Sequence, residues 1–119
     1  LAKKRQAKTL ANVEFVVGDA AKLKFKGNYF DMVFELFAFH HIIDYDKAIG
    51  ETYKVLKPGG SFFVMDVPLK SLGPFRNLIW FEPVKFTRKE FIGKLKAAGF
   101  VIKQNKGSIL FKLEAQKLK

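Results

Sequence analysis

Five residues have the type and spacing to do chemistry: Asp19, Glu35, His40, His41 and Asp66. A carboxylate can accept hydrogen bonds from a ligand or complement a cation, and histidine titrates near enough to neutrality to take a proton from a nucleophile. Asp19 follows the apolar stretch Val13–Val17 across Gly18. Glu35 lies in the run Phe30–Phe39 with His40 and His41 just beyond it, and Asp66 stands near the end of Ser61–Val67. In an open parallel sheet, ligands bind outside the carboxyl ends of the strands, and all three stretches place polar groups at such an end. Each carboxylate also has a purely structural alternative: Asp19 as a turn former, Glu35 as a strand-edge charge, Asp66 as a cap. Adjacent histidines on extended backbone point to opposite sides and do not easily share one metal. Cysteine is absent and no His-Glu-x-x-His spacing exists, so no metal site is expected. For His40 and His41, a general-base role stands beside pocket lining or framing of the next helix.

The elements that must position these groups follow from hydrophobic periodicity. Leu1–Leu10 reads as the end of a basic helix, stopped at Asn12, and Val13–Val17 as a β-rich strand ending in a Gly-Asp turn. Phe30–Phe39 is a nearly continuous apolar run, as expected for a strand covered on both faces. Tyr45, Ala48, Ile49, Thr52 and Leu56 follow helical spacing with Asp44 at the N-cap, and Lys57-Pro58-Gly59-Gly60 stops that helix. Ser61–Val67 is a second buried strand. Pro68–Pro83 is irregular, and Thr87-Arg88-Lys89-Glu90 is a capping box that opens a helix running to Ala98 and ending at Gly99. Phe100–Gln104 and Ser108–Gln116 form a final antiparallel hairpin. Strands alternating with helices argue for an α/β domain with a largely parallel sheet.

Composition narrows the function classes. The 119 residues are 49% hydrophobic and 28% charged, a globular balance sufficient for one domain with one core. The lack of cysteine excludes disulfides and thiolate chemistry and fits a reducing, cytoplasmic setting. No apolar run approaches the roughly 20 residues of a membrane span. The net charge of +11 is uneven: residues 1–26 carry seven bases and two acids, residues 27–69 three and six, residues 70–119 twelve and three. The basic last segment could attract phosphate, but 19 of the 22 bases are lysine, and only Arg5, Arg76 and Arg88 offer the planar fork suited to phosphate. Nucleic-acid binding is therefore not favoured.

Asn12-Val13-Glu14-Phe15, Gly18-Asp19-Ala20, Tyr29-Phe30-Asp31-Met32-Val33, His40-His41-Ile42, Glu51–Leu56 and Lys57-Pro58-Gly59-Gly60 with Asp66 follow one another in a distinctive order and spacing. In this the chain resembles the Rossmann-like S-adenosylmethionine-dependent methyltransferases, closest to the small-molecule branch that includes ubiquinone and sterol methyltransferases. The resemblance is close over residues 1–67 and looser over the last 35. It implies S-adenosylmethionine as cofactor, with Asp19 accepting from the adenine amino group and the Ala20 backbone meeting the ring. The backbone near Glu35, Leu36 and Phe37 would lie against the methionine part, and His40 and His41 would line the place where donor meets acceptor. Residues 68–86 would form a substrate-facing insertion between a cofactor-side core (1–67) and a helix with a strand pair (87–119). There Phe75, Trp80 and Phe81, with Asp66 at the strand end, would suit an apolar or planar small-molecule acceptor, although the rings could instead cap the core. A sulfonium is cationic, and the middle segment is the only acidic part of the chain. Methyl transfer needs in-line positioning more than acid–base machinery.

The resemblance also exposes what this sequence lacks. No G-x-G pattern occurs, and in that family a glycine-rich loop precedes the helix with which this chain opens; the acidic residue that holds the ribose is absent too. The expectation is an incomplete Rossmann-like sheet, mostly parallel, from the second part of a methyltransferase. The family's strand order, 3-2-1-4-5-7-6, would deprive Val13–Val17 of its neighbour and make Met32–Phe39 an edge. Either Val13–Val17 moves to pair with that edge, or two chains pair along it as a homodimer. Two further readings stand beside a methyltransferase: a non-catalytic interaction or dimerisation module, and an RNA-directed methyltransferase using the basic last segment.

Overall fold

The computed structural model describes residues 12–39, 42–66, 86–108 and 110–119. The helix read over Leu1–Leu10, the pair His40 and His41, and the Pro68–Pro83 segment with Phe75, Trp80 and Phe81 lie outside the described residues. Strands β1 (Phe30–Leu36), β2 (Leu56–Asp66), β3 (Phe100–Lys106) and β4 (Phe111–Lys117) form one sheet in the order β1-β2-β4-β3. Helix α1 (Tyr45–Val55) connects β1 to β2, and helix α2 (Arg88–Ala98) precedes β3.

The chain follows its local signals. A helical crossover lets β1 and β2 run parallel, whereas the short turn around Gly107 makes β3 and β4 antiparallel. Within the described residues the sheet is thus mixed, with β4 antiparallel to both β2 and β3. Helix α2 begins with the expected capping box: Thr87 Oγ1 accepts from Glu90 N–H at 3.0 Å, and Glu90 Oε1 accepts from Thr87 N–H at 3.2 Å. Thr87→Ala is expected to cost about 1 kcal/mol in urea unfolding. The helix stops at Gly99, whose φ of 112° is left-handed and where a Cβ would stand only 2.9 Å from the Tyr53 side chain.

Three local expectations are corrected. Asp44 sits at the N-cap of α1, but its side chain makes no capping bond; its backbone carbonyl accepts from Ala48 N–H. The Lys57–Gly60 turn is not a gap before the strand but part of β2. Leu56 already pairs with Phe30, Ser61 pairs with Met32, and the residues between them bulge out. Gly60 is required there, because a Cβ would stand 2.9 Å from the Lys57 carbonyl and 3.0 Å from that of Asp31. Val13–Val17 forms no strand and does not pair with β1, which is the edge of the sheet among the described residues. A β-rich run becomes a strand only when a partner takes its backbone groups, and no described stretch does so.

Both helices pack on one face of the sheet. Phe62 and Val64 of β2 and Phe111, Leu113 and Ala115 of β4 meet Ala48 and Ile49 of α1 and Phe91 and Leu95 of α2 in one buried cluster. The other face carries Phe34 stacked on Phe63 at 5.1 Å and stays largely open. Lys117 ties the last strand to α1. Its Nζ donates to Asn28 Oδ1, to the Tyr53 carbonyl and to the Leu56 carbonyl at 2.9–3.0 Å, and lies 4.6 Å from the Tyr53 ring centroid. A cation at the carbonyl end of a helix satisfies acceptors the helix leaves open. Lys117→Met should therefore destabilise by about 2 kcal/mol, read by urea unfolding. An unchanged midpoint would show that these bonds carry no stability.

Candidate functional site

The carboxyl ends of β1 and β2 carry the most unusual chemistry among the described residues. Register places Glu35 opposite Val64, so that Asp66 is its diagonal neighbour on the helix-covered face of the sheet. Alternation turns both side chains inward. Asp66 is 0% exposed and Glu35 6% exposed, beside Phe39 in the core.

Both carboxyl groups converge on one backbone turn, residues 37–39. Glu35 Oε1 accepts from the backbone N–H of Ala38 and, at 2.8 Å, from that of Phe39. Asp66 Oδ2 accepts from the same Phe39 N–H at 3.1 Å. Phe37 N–H donates to the Met65 carbonyl at 2.9 Å, and Phe37 itself holds a left-handed φ of 55°. For a residue with a Cβ that conformation is costly, and it persists where surrounding contacts determine it. The Phe39 ring, 5.2 Å from Phe91 and 5.9 Å from Phe62, seals the turn from below. Leu36 and Phe37 remain 64% and 45% exposed on the other side.

Burial and the neighbouring Asp66 carboxyl push Glu35 up to about 8 against an ordinary 4.5, overcoming the opposing effect of the two backbone donors. At neutral pH Glu35 therefore keeps its proton. Burial also raises the Tyr45 hydroxyl, with smaller contributions from Glu90 and Asp46.

Asp19 stands in a separate tight turn. Its Oδ1 accepts from Ala21 N–H at 2.9 Å, and its backbone carbonyl accepts from Lys22 N–H. Its exposed carboxylate is thus the turn former that composition alone suggests, while Ala20 beside it packs against the core. Of the residues singled out from sequence, Glu35 and Asp66 come together with the Leu36–Phe37 backbone. His40 and His41 follow Phe39 in sequence and lie outside the described residues, as do Trp80 and Phe81. Sequence reasoning missed the pairing of the two carboxyls and the role of Ala38 and Phe39 as donors. A buried acid near the end of each of two apolar runs was the available signal.

Residues 1–64 match the profile of a family described as "Methyltransferase domain". The demethylmenaquinone methyltransferase of Thermus thermophilus is 41% identical over 100 residues, which cover 82% of this chain and 43% of that protein. The ubiquinone/menaquinone biosynthesis C-methyltransferase UbiE of Vibrio cholerae is 36% identical over 76 residues, 64% of this chain and 29% of that protein. The chain thus spans less than half the length of these curated relatives. Among solved structures, the PH0226 protein of Pyrococcus horikoshii superposes with a TM-score of 0.82 at 23% identity, covering 99% of this chain and 65% of that one. An S-adenosylmethionine-dependent methyltransferase from Mesorhizobium loti gives 0.82 at 16% identity, covering 98% and 74%. These superpositions show a shared fold.

Proposed function

Because this chain belongs to the methyltransferase-domain family, we propose that it contributes to an S-adenosylmethionine-dependent methyltransferase acting on a small, lipid-like acceptor. The observation that carries this reading is the 41% identity to a demethylmenaquinone methyltransferase across 82% of the chain. The relatives' names supply the acceptor class, a quinone-like ring with an apolar tail.

The residues present fit the cofactor at two places. Asp19 has one carboxylate oxygen committed to its own turn and is exposed, so its carboxylate can also accept from an adenine amino group. The Phe37–Phe39 turn, anchored from behind and exposing Leu36 and Phe37, offers a fixed apolar wall for the methionine part. When bound, S-adenosylmethionine supplies an electrophilic methyl group on a sulfonium. The chain's own task is positioning, since an in-line displacement gains most from holding donor and acceptor at near-attack geometry. We assign His40 and His41, directly after the turn, to the side where the acceptor approaches, as pocket lining or as a base for an acceptor that must lose a proton. Asp66, buried beneath the turn, supports that side of the pocket. Trp80 and Phe81 are assigned to the acceptor's planar, apolar part.

Calorimetric titration of the intact protein with S-adenosylhomocysteine tests the reading. Binding is expected, and Asp19→Ala should weaken it roughly tenfold through loss of one hydrogen bond to a charged acceptor. No binding to the wild type would refute the cofactor assignment; unchanged affinity in the variant would refute Asp19 alone.

A further inference from the structure

We propose that Glu35 and Asp66 are positioning residues, a paired-carboxyl clamp that locks the Phe37–Phe39 turn as the wall on which the cofactor rests. The inference rests on the cofactor reading above and deepens it. Both side chains are buried in the core. Among their partners are backbone amides: Ala38 and Phe39 N–H on Glu35, and Phe39 N–H on Asp66. With Phe37 N–H bonded to Met65, three successive amides are held inward, and the left-handed Phe37 is fixed by them. A single strand-end acid would cap the turn. Two acids from adjacent strands sharing one amide do more, because the turn is then tied to both strands at once.

The pair works as a clamp only while it holds a proton. Glu35 Oε2 is buried without a hydrogen-bond partner among the described residues, so a charge on that oxygen would stand uncompensated away from water. Once that proton leaves, two carboxylates face each other away from water and repel. Lys112 and Glu114 of β4 line the open-face groove that Glu35 borders, and α1 presents Tyr45, stacked with Phe91 of α2, which in turn packs on Phe39. The clamp should therefore open above about pH 8, and affinity for a ligand on the turn should fall with it.

The test is S-adenosylhomocysteine titration of the intact protein from pH 6 to 9, paired with amide exchange at Ala38 and Phe39. In the wild type, affinity should drop about tenfold between pH 7 and 9, and both amides should lose protection over the same interval. Glu35→Gln keeps the shape and the hydrogen bonds without a titrating proton, and should reduce the pH 7-to-9 change to less than threefold. Glu35→Ala should leave both amides unprotected at every pH; if it fails to fold, Glu35→Gln and Asp66→Asn still decide the matter. An alkaline loss in Glu35→Gln equal to that of the wild type would overturn the clamp. If the wild type binds no S-adenosylhomocysteine at any pH, the cofactor reading falls instead. The exchange data then stand alone: protection lost above pH 8 in the wild type and kept in Glu35→Gln supports the clamp, and identical profiles overturn it.

Discussion

Replacing Phe91 by alanine is expected to lower the unfolding free energy by about 3–5 kcal/mol, the largest loss of any single substitution considered. Phe91 is fully buried, with its ring 5.1 Å from Phe86, 5.2 Å from Phe39, 5.9 Å from Phe111 and 6.0 Å from Tyr45. It is where α2, β4, the start of α1 and the Phe37–Phe39 turn meet, so truncation both removes buried apolar surface and leaves a cavity whose walls belong to different elements. Those walls cannot all close in together. Phe91→Leu, which keeps much of the volume, should cost less than half as much. Urea unfolding of the three proteins provides the measurement, and a cost below about 1 kcal/mol for the alanine variant would contradict the packing described.

Stability should also fall as pH rises from about 4.5 to 8, by roughly 2–4 kcal/mol from Glu35 alone. The sign follows from proton counting. Between the ordinary value of 4.5 and the folded value of about 8, the native state keeps a proton on Glu35 that the unfolded chain has released. Protons therefore favour the fold throughout that window. The contribution is complete below the lower value and lost once pH has passed the upper one. This runs opposite to a salt-bridged carboxylate, whose stabilisation disappears toward acid. Glu35→Gln should flatten this part of the profile and become the more stable protein at pH 8. Urea midpoints at pH 5, 6.5 and 8 for both proteins would show it; a wild type whose stability climbs steadily to pH 8 would exclude a protonated Glu35.

Local signals in the sequence carried much of this fold. Thr87 and Glu90 announced the start of α2 and Gly99 its end, and the buried stripe of α1 follows its periodicity. The hairpin around Gly107 was equally plain. What escaped depends on partners far along the chain. Val13–Val17 has every local property of a strand and is none, because strand formation is decided by a neighbour's backbone. The onset of β2 at Leu56 was hidden by Pro58 and two glycines, which break a helix but are accommodated by a bulge. Lys117 reads as one more solvated lysine, yet its three acceptors come from residues 28, 53 and 56. At the candidate site, the positions of Glu35 and Asp66 were legible as strand ends. That their side chains turn inward and share one amide follows from the β1–β2 register, which neither run specifies alone.

The strand order has a consequence for how the protein is made. Because β4 lies between β2 and β3, the sheet cannot assemble in the order in which the chain is synthesised. After β3 has left the ribosome it still has no neighbour, and one side of β2 waits open until Phe111–Lys117 arrives. Phe91 lacks Phe111, and the acceptors at the end of α1 lack Lys117, for the same interval. A nascent chain in this state presents unpaired backbone and uncovered apolar surface, which is what chaperones bind and what aggregates when they do not. Arrival of Phe111–Lys117, rather than completion of a helix, then closes the described sheet.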